Sequence, residues 1–183
     1  LYANTTGVNH VAIGHNALST MTTGSHNTAI GSGASLAITT ATHNTGVGSN
    51  SLRFTTTGAY NAALGYYSLF ANTTGASNTA VGYQALDANT TASNNTAVGK
   101  GALSANTTGA NNTAVGTAGV ANTTGAQNTS MGAQNFEVAT TGSENAYFGY
   151  LSGYQHTTAS YCAAFGSRAM RSNTTGASNT AVG

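Results

Sequence analysis

A seventeen-residue phrase recurs along the whole chain, and its period restricts the fold more than any other feature. Its clearest copy is Ala71 to Asp87, Ala-Asn-Thr-Thr-Gly-Ala-Ser-Asn-Thr-Ala-Val-Gly-Tyr-Gln-Ala-Leu-Asp. Self-similarity at a short fixed period marks solenoids and related arrays. Counting columns one to seventeen from Ala71, column twelve is Gly14, Gly31, Gly48, Gly65, Gly82, Gly99, Gly116, Gly132, Gly149, Gly166 and Gly183. Each step is seventeen residues except Gly116 to Gly132, which is sixteen. That copy reads as lacking column seventeen, after Val120. Residues 1–183 therefore form a single repeat array of eleven copies. It starts and ends mid-phrase, so a piece of a longer fibre is expected.

Charged residues are 4% of the chain, against roughly a quarter in typical globular domains. Too few Lys and Arg are present to engage phosphates, so no nucleic acid is expected as a partner. The net charge of +1 points to no acidic partner. No apolar run approaches the ~20 residues of a membrane helix, so no membrane insertion is expected. Low charge with abundant Asn, Thr, Ser and Gly also suits disorder. Apolar columns that stay in phase argue instead for a packed structure.

Column eleven is apolar in every copy: Ile13, Ile30, Val47, Leu64, Val81, Val98, Val115, Met131, Phe148, Phe165 and Val182. It reads as the structural core ladder. Column sixteen, mostly Leu, joins it. Four of the seven charges, Arg53, Asp87, Glu137 and Arg171, fall in column seventeen, which therefore faces water. Strand alternation then turns columns one and three inward and columns two and four outward. Thr and Val favour strand, and two glycines per phrase disfavour helix. The column-twelve glycines are corners that need positive φ or room for another backbone. The expected fold is all-β, a parallel β-solenoid or β-roll of eleven ~17-residue coils. Each coil is read as two short strands joined at two Gly corners, with in-register ladders of Asn, Thr, Val and Leu between coils.

Two large apolar residues per seventeen are few against the entropy of ordering a coil. No disulfide compensates, because Cys162 is the single cysteine. Burial between chains is the expected remedy, giving a homo-oligomer in which small column-ten residues and column-twelve Gly let neighbouring backbones approach. The phrase Asn-Thr-Ala-Val-Gly-Tyr-Gln-Ala-Leu at 78–86 resembles the head repeats of trimeric autotransporter adhesins. The Thr-Thr-Gly-x-x-Asn-Thr-Ala-Val-Gly array at 107–116, and its variant at 123–132, are similar to shafts of bacteriophage tail fibres and related bacterial surface fibres. The resemblance implies a homotrimer, a parallel β-roll, and a location that is extracellular, at a cell surface or on a virion.

No catalytic constellation stands out, so no enzyme activity and no cofactor are expected. Asp87, Glu137 and Glu144 lie on different coils, whereas paired-carboxylate chemistry needs two acids within several Å. His26 and His43 share column seven on adjacent coils and are expected to stack, but two histidines are too few for an ordinary metal site. Cys162, in the usual Asn column eight, reads as a small buried residue, with a contact between symmetry-related chains as the alternative. Aromatic residues gather in two places. Phe54, Tyr60, Tyr66, Tyr67 and Phe70 surround the fourth copy, and Tyr147, Phe148, Tyr150, Tyr154, Tyr161 and Phe165 the ninth and tenth. Tyr66, Tyr83 and Tyr150, all in column thirteen, are candidate surface-binding residues for a glycan or host receptor. Alternatively the aromatics fill a locally wider coil, with Tyr147 and Gly153 exchanging size.

These features point to a structural fibre segment, a rigid shaft with an adhesion role. Two other readings compete. One is an ice-binding β-solenoid, resting on the invariant Thr of column four. The other is a self-assembling, amyloid-like filament grown through uncapped ends.

Overall fold

The computed structural model describes all residues, 1–183. Each copy contributes one three-residue strand at columns nine to eleven, from Val11–Ile13 to Thr180–Val182. The eleven strands form one parallel sheet in strict sequence order. Register is column on column, with Thr79 opposite Thr96, Ala80 opposite Ala97 and Val81 opposite Val98. The chain is therefore an all-β parallel solenoid, with no helix. At a strand spacing of ~4.8 Å, eleven coils rise on the order of 50 Å.

The second strand expected in each coil does not form. Columns thirteen to four are turns and bends. The cause is backbone conformation. Columns seven, fourteen and sixteen are left-handed in most coils, as at Ser77 (φ 58°), Gln84 (φ 53°) and Leu86 (φ 52°). Inter-coil hydrogen bonding persists through these turns. Twenty backbone bonds belong to the strands and ninety lie outside them, so the turns supply most of the stacking.

Because the second segment is not extended, alternation gives the wrong faces there. Column two points inward: Asn72, Asn89, Asn106 and Asn122 are fully buried. So does column eight, including Asn44, Asn61, Asn78 and Asn95. Columns one and three are only half-buried in the Ala71 coil, and column four is exposed.

Column eleven is not the core. Ile13, Leu64, Val98, Met131, Phe165 and Val182 are exposed, and Ile30, Val47, Val81, Val115 and Phe148 are half-buried. In a three-residue strand the two faces alternate, and column ten takes the inside. Ala29, Ala63, Ala80, Ala97 and Ala114 are buried there. Only a small side chain fits opposite the leucines, so the larger β-branched residue goes outward with the column-nine Thr. The observed core joins column-sixteen Leu to small residues, as in the cluster of Leu52, Ala63, Leu69, Ala80, Ala85 and Leu86.

Buried asparagines fill the rest of the interior. In column eight, the Asn61 backbone N–H donates to Asn44 Oδ1 at 2.9 Å, and Asn44 Nδ2 donates to the Gly58 carbonyl at 2.9 Å. In column two, Asn89 Nδ2 donates to Asn72 Oδ1 at 2.9 Å and to the Ala92 carbonyl at 3.1 Å. Column three adds a third ladder: Thr73 Oγ1 donates to the Thr90 carbonyl at 3.0 Å.

The shortened coil also differs from expectation. Leu103 N–H donates to the Ala118 carbonyl and Ala105 N–H to the Val120 carbonyl. Ala118 and Val120 thus stand in columns fifteen and seventeen, and Gly119 occupies the Leu column with φ 62°. The missing residue is column fourteen.

The column-twelve corner has both properties expected of it, but the close neighbour lies within the chain. Gly82 has φ +132°, and a Cβ there would meet the Gly99 carbonyl oxygen at 2.5 Å. We predict that Gly82→Val lowers stability by roughly 3 kcal/mol or more, through strain and displaced backbone together. Thermal melting followed by circular dichroism checks this, and an unchanged melting curve would contradict the packing described.

Candidate functional site

The surface has no cleft. No group of three or more His, Cys, Asp or Glu side chains comes together. Functional candidates are therefore rows and clusters on an open rod.

The fold places several chemistries by column. Column four presents an exposed Thr at every coil, at a bend rather than on the sheet. The outer sheet face carries column nine and column eleven side by side. Column seven projects from a left-handed corner: His26 and His43 stack at 4.8 Å, and Tyr60 continues the stack at 5.1 Å. Tyr60 thus leaves the aromatic cluster in which the sequence placed it.

The remaining members of that cluster form one connected surface run. Phe54 meets Phe70 edge-on at 4.9 Å, and Phe70 stacks on Tyr67 at 4.3 Å. Tyr67 packs against Tyr66 at 4.3 Å, and Tyr66 lies parallel to Tyr83 at 5.8 Å. The Arg53 guanidinium sits over the Phe54 ring at 5.6 Å. Tyr66, Tyr83 and Tyr150 are each nearly half exposed. Only the first two are brought together, and Tyr150 stands five coils and four coils further along.

The second aromatic gathering divides between inside and outside. Phe148 and Phe165 stack face to face at 5.1 Å on the outer sheet row. Tyr147 is fully buried and packs on Phe136 at 5.0 Å. A Cβ on Gly153 would lie 2.6 Å from the Tyr147 ring, so the exchange of size between these two residues is real. His156 completes the exchange by replacing a column-two Asn. Its Nδ1 is 2.6 Å from the Tyr147 hydroxyl, and its Nε2 is 2.8 Å from the Ala159 carbonyl. If Nε2 carries the proton toward that carbonyl, Nδ1 accepts from the hydroxyl.

Burial shifts both groups toward their neutral forms. It pushes the Tyr147 phenol above its ordinary range, with Cys162 adding to the effect. It pulls His156 below its ordinary range, against the opposing pull of the Ala159 carbonyl. Cys162 is buried, and its backbone N–H continues the column-eight ladder by donating to Asn145 Oδ1 at 2.9 Å. Its thiol points at the Gly176 carbonyl, 3.3 Å away, as an Asn amide does in other coils.

Sequence reasoning missed two features here. One is the outward apolar row, which its unbroken apolar character assigned to the core. The other is the Tyr147–His156 pair. Its signal was present: columns ten, sixteen and two all depart from the consensus within ten residues, at 147, 153 and 156.

A histidine whose pKa is depressed in the fold stabilises neutral protein fully above the ordinary histidine pKa of about 6.5. Below that value the unfolded chain binds the proton more readily, so stability falls. We expect the melting temperature to drop between pH 7 and pH 5, and His156→Asn, restoring the column consensus, to flatten that dependence. An equally steep drop in the variant would exclude His156 as its source.

No family model, no curated protein and no solved structure matches this chain.

Proposed function

We propose that the chain is a structural fibre segment, a rigid rod that packs along its length against further copies of itself. The observation that carries this reading is the outward row of column eleven. Eleven apolar residues stand in register on one sheet face, and none of the seven charged residues lies in columns eight to twelve. Exposed apolar surface of this extent marks an interaction face. A periodic row is matched in spacing by another copy of the same chain, which favours self-association over an unrelated partner.

The earlier ground for oligomerisation, close approach at columns ten and twelve, is satisfied inside the chain by the next coil. The outward row takes its place. The number three rests on the resemblance to trimeric adhesin heads and fibre shafts. A shaft of this kind suits an extracellular, cell-surface or virion location, where it holds other domains at a distance and adheres.

One observation favours a second reading, an ice-binding solenoid. Column nine presents Thr28, Thr45, Thr79, Thr96, Thr113 and Thr129 outward on the sheet itself, a flatter arrangement than the column-four bends. Bulky Met131, Phe148 and Phe165 beside them interrupt that flatness.

Sedimentation equilibrium at micromolar concentration tests the fibre reading. We expect a discrete three-chain species, and a monomer from the double variant Val81→Lys, Val115→Lys with unchanged circular dichroism. A native monomer, especially one with thermal-hysteresis activity, would favour ice binding. An open-ended mass series would favour filament growth through the ends.

A further inference from the structure

The repeat carries its own control for what the fold requires at each surface position. In column thirteen other coils have Ser32, Ser49, Lys100, Thr117 and Ser167. In column fourteen they have Asn16, Asn50 and Gln84, and in column seventeen Ser19 and Ser104. Column one is commonly Ala, as at Ala71, Ala88 and Ala105. Around the fourth copy all four columns turn aromatic together, at Phe54, Tyr66, Tyr67 and Phe70, and Tyr83 follows on the next coil. The core beneath does not demand this. Leu52, Ala63, Leu69 and Ala80 fill it as their equivalents do elsewhere, with no aromatic among them. Phe54, Tyr66 and Tyr83 are exposed and Tyr67 and Phe70 half-buried, all outside the core, so core packing does not explain their selection.

We propose that Phe54, Tyr66, Tyr67, Phe70 and Tyr83 form a binding platform for a neutral polysaccharide. Three observations carry the assignment. First, the rings are continuous: each contacts the next at centroid separations from 4.3 to 5.8 Å, in one run that spans two successive copies. A sugar chain offers apolar C–H faces, which pack on the ring faces left open at the stack ends and against the ring edges between them, and hydroxyl edges, which hydrogen-bond to polar rims. Lys100 follows Tyr83 in column thirteen, so no further ring covers the outer face of Tyr83, while Tyr67 packs on Tyr66.

Second, the site is open. The surface has no cleft to enclose a terminal sugar or small molecule, whereas an extended ligand can lie along a ridge. The tyrosine hydroxyls, with Gln84 beside Tyr83, provide donors and acceptors.

Third, the electrostatics favour a neutral ligand. Arg53 is the cation within the run, and it is engaged by Asn50 Oδ1 and by the Phe54 ring. Asp87, in the next coil of Phe70's column, is held above the ordinary carboxyl range by burial. Neither arrangement offers a concentrated charge to an acidic or basic chain. The platform also uses none of the column-eleven residues assigned to self-association, so the two proposals stand separately.

The experiment exploits the other coils as donors of substitutions. Affinity electrophoresis of the whole chain is run through gels holding hydroxyethylcellulose, xylan, galactomannan or the acidic polymer alginate. The native protein is compared with Tyr66→Ser/Tyr83→Ser and with Phe54→Ala/Phe70→Ser. Each new residue already occupies its column in another coil, so melting curves should stay close to the native one and confirm folding. We expect retardation by at least one neutral polymer, weakened at least tenfold in apparent affinity by each double variant. Retardation by alginate alone, by no polymer, or equally in native and variant proteins would overturn the proposal.

Discussion

Side-chain amides buried between coils are what the architecture depends on. An unpaired buried amide is costly, while a satisfied network in a low-dielectric interior is strong and geometrically demanding. Most column-eight asparagines meet that demand by accepting from the next coil's backbone and donating to a carbonyl of that same coil, as Asn78 does with Asn95 and Ala92, whereas Asn95 Nδ2 is buried without a partner. The column-two asparagines reach each other directly, as Asn106 reaches Asn89. These bonds form when each coil sits one phrase above the last, so they set register as well as adding stability. In most coils chiefly Ala and Leu side chains then remain to be packed, and the coil stays narrow.

That narrow coil needs sharp corners, and the backbone takes them in the left-handed region. Column-sixteen leucines adopt φ near 50° in five coils, a conformation costing roughly 1–2 kcal/mol for a residue with a Cβ. Full burial of the same side chain offsets that cost. Local exchanges show how closely the interior is filled. Where Ser35 replaces Leu, the column-two residues Met21 and Ile38 are apolar and pack in the same cluster. Where Tyr147 replaces Ala, Gly153 clears the space and His156 accepts the phenol.

Much of this was legible from period alone. A fixed phrase with invariant column-twelve Gly led directly to stacked parallel coils, and the column-sixteen leucines identified part of the core. The faces were harder to read. Alternation is valid only for extended backbone, and nothing in Gln84 or Leu86 by itself announces a left-handed residue. Met21 and Ile38 carry a signal that column two faces inward, which strand alternation overrode. Asn in a column of a solenoid reads as surface until its amide is seen to bridge coils. The aromatic surface run was visible as a gathering of residues, while the separation of Tyr60 from it required knowing that column seven leaves at another corner.

The surface follows from the same constraint. With amides and alanines taking the interior, the largest aliphatic residue of each strand is turned outward, and this produces a long uncharged row that a lone rod leaves in water. The core claim, that column-two and column-eight asparagines are interior coil-to-coil ties, is tested most directly by hydrogen exchange of side-chain amides followed by NMR. Slow exchange is predicted for Asn72, Asn89 and Asn106 and for Asn44, Asn61 and Asn78, against fast exchange for the exposed column-seven residues Asn94 and Asn111. Equally fast exchange at all eight positions would contradict it.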